Sequence, residues 1–424
     1  MRGRKPVVFL HIGAMKTGTT FLQQLMSANK EDLLKAGFLF PGDSWAEQAL
    51  ATRDVMDRNK EDPALRAQCA GKWRKLVDEM LAYDGTASVF SMEFLSYASH
   101  DEAKRITKSL SKAEVHVVLT VRDATGAIPA QWQTFSRNGG VVSWPDFARG
   151  AVSVNGAPVQ GELAQGARAF RRTQGIPQML EVWGKRVPAE RLHVVTVPRR
   201  PTDRLELWRR FAEVVGLDHA VVSELTNRTN TSLGQASADL MRRVNRGLVD
   251  VPANEYHPTI RGYLGERVLS QRAHLEKRAE LDLVTLEFAA AWNHRVREAI
   301  RASKARFVGD LDDLPVEVPA ALAESAPPVL TDPGADELLE AAASARDGLL
   351  RRIRQQTKRI RRAGGRVPHV DLTTLVTDLP TGPDRWNGQA DPVEAAVEEV
   401  TALCRTLIEL RRTALTTLGA AGLD

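Results

Sequence analysis

At 424 residues the chain is longer than one hydrophobic core usually serves, so a main domain with an appendage is expected. Hydrophobic residues make up 43% and charged residues 26%, the balance of an ordinary soluble globular protein, and no apolar run approaches the length of a membrane span. A net charge of +5 with a pI near 9.2 suits an anionic ligand without implying nucleic acid, and two distant cysteines, Cys69 and Cys404, argue against a disulfide framework and for a reducing cytoplasm.

The N-terminus M-R-G-R-K-P is basic like the start of a secretory signal, but the apolar run behind it is too short and stops at a glycine loop. Val7–Ile12 therefore reads as a strand buried on both faces, Gly13–Thr20 as a small-residue loop holding a lysine, and Phe21–Lys35 as a helix. Strand, glycine loop and helix N-terminus together make an anion cradle, where loop N–H groups and the positive end of the helix converge on phosphate. A nucleotide-hydrolysing P-loop reads G-x-x-x-x-G-K-[ST]. Gly13 and Gly18 keep that spacing, but Thr19 stands where the lysine belongs, and the lysine has moved inside the loop to Lys16.

Further along, Phe38–Phe40 is a strand-like return and Arg66–Leu81 a helix with Trp73, Leu76, Val77 and Met80 on its apolar face. Ala87–Ser91 is a second buried strand, and Ser99 with Glu102 forms a capping box for the helix that follows. Val115–Val121 is the clearest strand; Arg122 and Asp123 follow at once, then a helix over Thr125–Arg137 despite Pro129. Trp144–Gly161 reads as loop-rich with a short helical turn, Phe170–Lys185 as helix, Leu192–Val197 as a fourth strand, Arg204–Val215 as helix and Arg267–Ala302 as one long helix. Residues 315–335 are a Pro/Ala-rich linker between a domain at 1–314 and helices at 336–424. Those helices, Leu338–Arg362 and a second one capped by Asp391-Pro392-Val393-Glu394, suggest an α-helical hairpin that packs on the main domain or on a second copy.

Strands alternating with helices predict an α/β fold, P-loop-like and three-layered (α/β/α), with a central, mostly parallel sheet and a C-terminal helical appendage. Such sheets bind ligands outside the carboxyl ends of their strands. Lys16 lies just past the first strand, Glu93 just past the second and Arg122 just past the third, so two cations and a carboxylate converge on one edge.

The segments H-I-G-A-M-K-T-G-T-T, S-M-E-F-L, V-R-D, L-H-V-V-T-V-P with L-W-R-R-F, N-T-S-L-G and V-G-D-L-D-D-L, from about Val7 to Leu314, resemble bacterial, actinobacterial-type sulfotransferases that use 3′-phosphoadenosine 5′-phosphosulfate (PAPS). The resemblance implies a metal-independent transfer of a sulfonate group to a small-molecule, carbohydrate or lipid acceptor. Lys16 would neutralise the leaving phosphate, and Thr17, Gly18, Thr19 and Thr20 would hold it through backbone N–H and hydroxyl groups. Glu93, flanked by Met92, Phe94 and Leu95, is the candidate general base. Arg122 would bind the 3′-phosphate by forked hydrogen bonds. One departure stands out. A serine usually follows that arginine by two helical turns, and here the position is Ala130, leaving Gln133, Arg137 or Asn230 as substitutes.

The histidines His11, His116 and His193 lie in strands and read as core or sheet-face residues, and no Cys/His/Asp grouping has metal-ligand spacing. Two other functions compete. A P-loop kinase or NTPase is disfavoured by Thr19 in the lysine's place, and a non-catalytic binding or scaffold role would use the basic run Arg351–Arg362.

Overall fold

The computed structural model describes residues 4–58, 62–156, 158–201, 203–222, 232–318, 329–368 and 382–419. Among these, the strands are β1 (Val7–His11), β2 (Phe38–Leu39), β3 (Ala87–Ser91), β4 (Glu114–Val121), β5 (Leu192–Thr196) and β6 (Arg306–Val308). They form one six-stranded sheet in the order β2-β3-β1-β4-β5-β6, with every neighbouring pair parallel. The connection leaving β1 runs to one side and that leaving β3 crosses to the other, so the order reverses at β1. That reversal marks the crevice where open α/β sheets take their ligands.

Side chains alternate across each strand, which separates the two faces. His11 meets Phe211 of the helix Glu206–Val215 at 5.0 Å between rings, while Phe90, in register with Leu10, meets Trp73 of Lys72–Ala82 at 5.5 Å on the opposite face. Helices on both faces of a parallel sheet make the three-layer α/β/α fold. The face bearing Phe9, Val89, Val118 and Val195 packs against Leu22, Leu25 and Met26 of the helix Thr19–Ala28 and against Trp208 and Phe211. Full burial of a large apolar side chain contributes about 1.5–3 kcal/mol, so this layer holds the loop's helix firmly to the sheet.

The chain divides into two compact units. The first comprises Met1–Ile128, Phe170–Asn230 and Leu283–Pro327, and the second Pro129–Ala169, Thr231–Asp282 and Pro328–Asp424. This differs from a simple break after residue 314, because segments 129–169 and 231–282 cluster with the C-terminal helices. Residues 319–328 of the expected linker lie outside the described residues. In the second unit, the helix Gln235–Arg246 is buried along most of its length and carries polar groups that are paired locally. Asp239 binds Arg242 and Arg243, Ser237 donates to Glu276, and Asn245 donates to the carbonyls of Ser136 and Gly140.

The two C-terminal helices, Ala335–Arg362 and Pro392–Leu418, do not form the expected hairpin. Arg346 donates to Glu399 at 2.7 Å, and further on Gly365 packs beside Thr417, so the two run parallel. A helix of 28 residues is about 42 Å long, and a connection as long as residues 363–391 has ample reach to return along it. Glu399 also accepts from Arg385 and Trp386 of that connection, at 2.9 and 3.0 Å. Burial alone would raise its carboxyl, but Arg385 and Arg346 together hold it below the usual range.

Several helices are shorter than the sequence suggests. The expected helix over Phe21–Lys35 breaks at Asn29, whose side-chain amide bonds the Leu25 carbonyl, into Thr19–Ala28 and Lys30–Lys35. Phe170–Lys185 divides at Gly175-Ile176-Pro177. Arg267–Ala302 is helical only from Leu283; ahead of it stand a π-helix, His257–Val268, and a 3₁₀ turn. Trp144–Val152 extends the short helical turn expected there to a nine-residue helix, capped by Ser143 with Pro145 in its first turn.

At the far end of the face that carries His11, the His116 and His193 rings stack, with Nδ1 of His116 3.0 Å from Nε2 of His193. Burial, then His116 and Arg306, lower His193 from 6.5 to about 4; burial also lowers His116, against the pull of Glu114 and with the push of Arg191 and Arg306. Between pH 6.5 and 4 the unfolded chain therefore binds more protons than the folded one, and stability rises with pH. Thermal denaturation across this window is expected to show Tm falling on acidification, with a shallower slope in His193→Gln.

Candidate active site

The loop after β1 turns left-handed three times, at Gly13 (φ 44°), Lys16 (φ 66°) and Gly18 (φ 83°). A lysine at positive φ costs about 1–3 kcal/mol and persists only where its surroundings enforce it. Here Ala14 N–H donates to the Thr120 carbonyl at 3.1 Å, Gln174 Nε2 to the Met15 carbonyl at 2.7 Å and Arg122 Nη1 to the Lys16 carbonyl at 3.3 Å. Gly18 opens the helix Thr19–Ala28 with no side-chain cap, so the first-turn N–H groups and the helix dipole face the loop. The Thr19 hydroxyl is buried and has no hydrogen-bond partner among the described residues. A Cβ on Gly13 would stand 2.6 Å from it, so only glycine leaves that hydroxyl its place.

Thr17 is fully buried, and its hydroxyl donates to the Ala14 carbonyl while also contacting Thr120. Its side chain is thus committed inward, and only its backbone is left to face an anion. Thr20 is exposed on the first turn of the helix.

Glu93 opens a 3₁₀ turn, Glu93–Tyr97, directly after β3 and is 9% exposed. Gln23 holds it from the loop's own helix: one amide donates to Glu93 Oε2 at 3.0 Å and to the Ser91 carbonyl at 2.9 Å. Tyr97, at the end of the same 3₁₀ turn, has Arg172 4.5 Å over its ring. Burial pushes the Tyr97 hydroxyl up to about 12, with Glu93 raising it further and Arg172 and Arg58 opposing.

Arg122 follows β4, and its side chain packs over Gly126, where a Cβ would meet guanidinium atoms at 2.8–3.2 Å. Asp123 is 5% exposed and engaged by its neighbours: Thr125, Asn293 at 2.8 Å and Arg199 at 3.3 Å. Asp313, in the V-G-D-L-D-D-L segment, accepts from Thr196, the Arg199 N–H and Arg210. These two carboxylates brace the ends of β4 and β5.

Because β3, β1 and β4 are adjacent, their carboxyl ends bring Glu93, Lys16 and Arg122 to one stretch of the sheet edge. Asn230 lies outside the described residues. Arg137 packs against Gly265, 4.0 Å from Glu266, within the second unit. Gln23, Gln174 and Gly126 escaped sequence reasoning, although a glutamine on the buried side of an amphipathic helix is a usable signal for Gln23.

No protein-family model matches the chain, and no curated protein matches it. Among solved structures it is similar to a sulfotransferase from Alicyclobacillus acidocaldarius, with 12% sequence identity and a TM-score of 0.36, over 65% of this chain and 97% of that one. An overlap that loose says nothing about chemistry. Among the described residues no helix is long and apolar enough to cross a membrane.

Gly126→Ala adds a methyl group where only the movable end of Arg122 stands, and alanine favours a helix over glycine by about 1 kcal/mol. Calorimetry is expected to show an undiminished Tm.

Proposed function

We propose that this site binds 3′-phosphoadenosine 5′-phosphosulfate and transfers its sulfonate group to a hydroxyl or amine of a small-molecule, carbohydrate or lipid acceptor. The observation that carries the reading is the uncapped helix N-terminus with the unpartnered, buried Thr19 hydroxyl beside a left-handed Lys16. That arrangement fits a phosphate group: the first-turn N–H groups and the Thr19 hydroxyl donate, and Lys16 brings a compact positive charge.

When bound, the donor supplies a sulfonate already activated by its bond to the 5′-phosphate. The N–H groups of Thr17, Gly18, Thr19 and Thr20 and the Thr19 hydroxyl hold that phosphate in place. Lys16 offsets the negative charge that develops on the leaving oxygen. Glu93 accepts the acceptor's proton through the oxygen that Gln23 does not engage. Arg122, anchored at the Lys16 carbonyl, binds the 3′-phosphate and separates this donor from ordinary adenine nucleotides. Asn230 is a further ligand for the donor in this reading.

Nucleotide hydrolysis is the weaker reading. Thr19 replaces the P-loop lysine, and Asp123, the acid at the end of β4, is spent on Thr125, Asn293 and Arg199.

Glu93→Gln is expected to lower sulfonate transfer by about 100-fold or more while leaving unchanged the Kd of the product nucleotide, adenosine 3′,5′-bisphosphate; turnover close to wild type would remove Glu93 from the chemistry. Arg122→Ala is expected to weaken the bisphosphate by about tenfold or more, measured by calorimetry. Transfer from the donor in EDTA, with a thermal shift from the bisphosphate and none from ATP–Mg²⁺, supports the assignment; a shift from ATP–Mg²⁺ alone reverses it.

A further inference from the structure

Beneath the loop lies a row of polar groups that the proposed chemistry does not use. Ser91, His11, Thr120 and Thr17 are each 0% exposed, next to the apolar layer of Phe9, Val89, Val118 and Val195. Ser91 Oγ is 2.8 Å from His11 Nδ1, and His11 Nε2 is 3.2 Å from Thr120 Oγ1. Thr120 Oγ1 is 2.6 Å from Thr17 Oγ1, which donates to the Ala14 carbonyl at 2.6 Å.

Counting protons gives the row a direction. A carbonyl only accepts, so the single proton of Thr17 goes to Ala14. Thr120 must then donate to Thr17, which leaves its oxygen to accept from His11, and Nε2 must carry the hydrogen. Burial pulls His11 down to about 3, so the imidazole is neutral near pH 7 and Nδ1 is bare. Nδ1 accordingly accepts from the Ser91 hydroxyl.

We propose that His11 and Thr120 are positioning residues for the anion-binding loop, acting through a one-way hydrogen-bond chain that runs Ser91, His11, Thr120, Thr17, Ala14. Three members stand beside residues of the site: Ser91 is two residues before Glu93, Thr120 two before Arg122, and Thr17 directly after Lys16. The chain thus ties the left-handed turn at Lys16 to the strands that carry the other two groups. Aliphatic side chains would fill the same space but would give the loop no directional restraint. Only the ligand readout below rests on the sulfotransferase reading.

The test is ¹⁵N NMR on the full chain, with Thr120→Val as the cut and Thr120→Ser as the conservative control. In the wild type, His11 is expected as the Nε2–H tautomer with a bare Nδ1; an Nδ1–H tautomer overturns the proposal, whatever the variants do. In Thr120→Val, the amides of Lys16–Gly18 should exchange about tenfold faster while those of β5 keep their rates, and the bisphosphate should bind about tenfold more weakly. Thr120→Ser should restore both. Wild-type loop exchange in Thr120→Val would equally overturn the chain. If the wild-type protein fails to bind the bisphosphate, the sulfotransferase reading fails, and the tautomer and exchange measurements still decide the positioning role.

Discussion

A lysine held in a left-handed turn is the constraint around which this site is built. The conformation is unfavourable for any residue with a side chain, so neighbours must hold it in place. They do so from three directions: β4 through the Thr120 carbonyl, a side helix through Gln174, and Arg122 through the Lys16 carbonyl. Remove those restraints and the loop would relax toward ordinary backbone, taking the charge of Lys16 with it. The cradle is therefore a property of the sheet as much as of the loop.

The sheet also explains why the chemistry gathers where it does. In an all-parallel sheet every carboxyl end lies on the same edge, and the central strand β1 has β3 and β4 on either side. A residue placed just past each of these strands must stand near the others, whatever the length of chain between them. The loop's helix adds a second link, because Gln23 on its buried side reaches the Glu93 carboxylate. The cradle and the carboxylate are thus fastened to each other by one short helix, and a change in the helix would move both.

The strands and the loop were largely legible in the sequence because short β-branched runs and a glycine-rich turn are local signals. Where reading failed, the deciding contact was distant or competed with local pattern. Asn29 breaks an apparently continuous helix by turning its own side chain back on the Leu25 carbonyl. The long helix expected from residue 267 begins only at Leu283, since an apolar and charged pattern does not distinguish an α-helix from the π-helix and turns that precede it. The C-terminal helices run parallel because Glu399 is met by Arg346, Arg385 and Trp386, partners that spacing along the chain does not reveal. The Thr17 hydroxyl faces Thr120, a partner more than a hundred residues away that local spacing does not reveal.

By itself the sequence determined that the chain is an α/β protein, that a glycine loop and a helix N-terminus follow its first strand, and that Lys16, Glu93 and Arg122 lie just past three strands. These follow from composition and local spacing, which act over a few residues. Only the tertiary structure decided the strand order that makes those three ends neighbours, the amide that holds Glu93, the glycine on which Arg122 rests and the buried row beneath the loop. Each of these depends on pairs of residues far apart in the chain, and such pairs meet only when the sheet has formed and its two helical layers have closed over it.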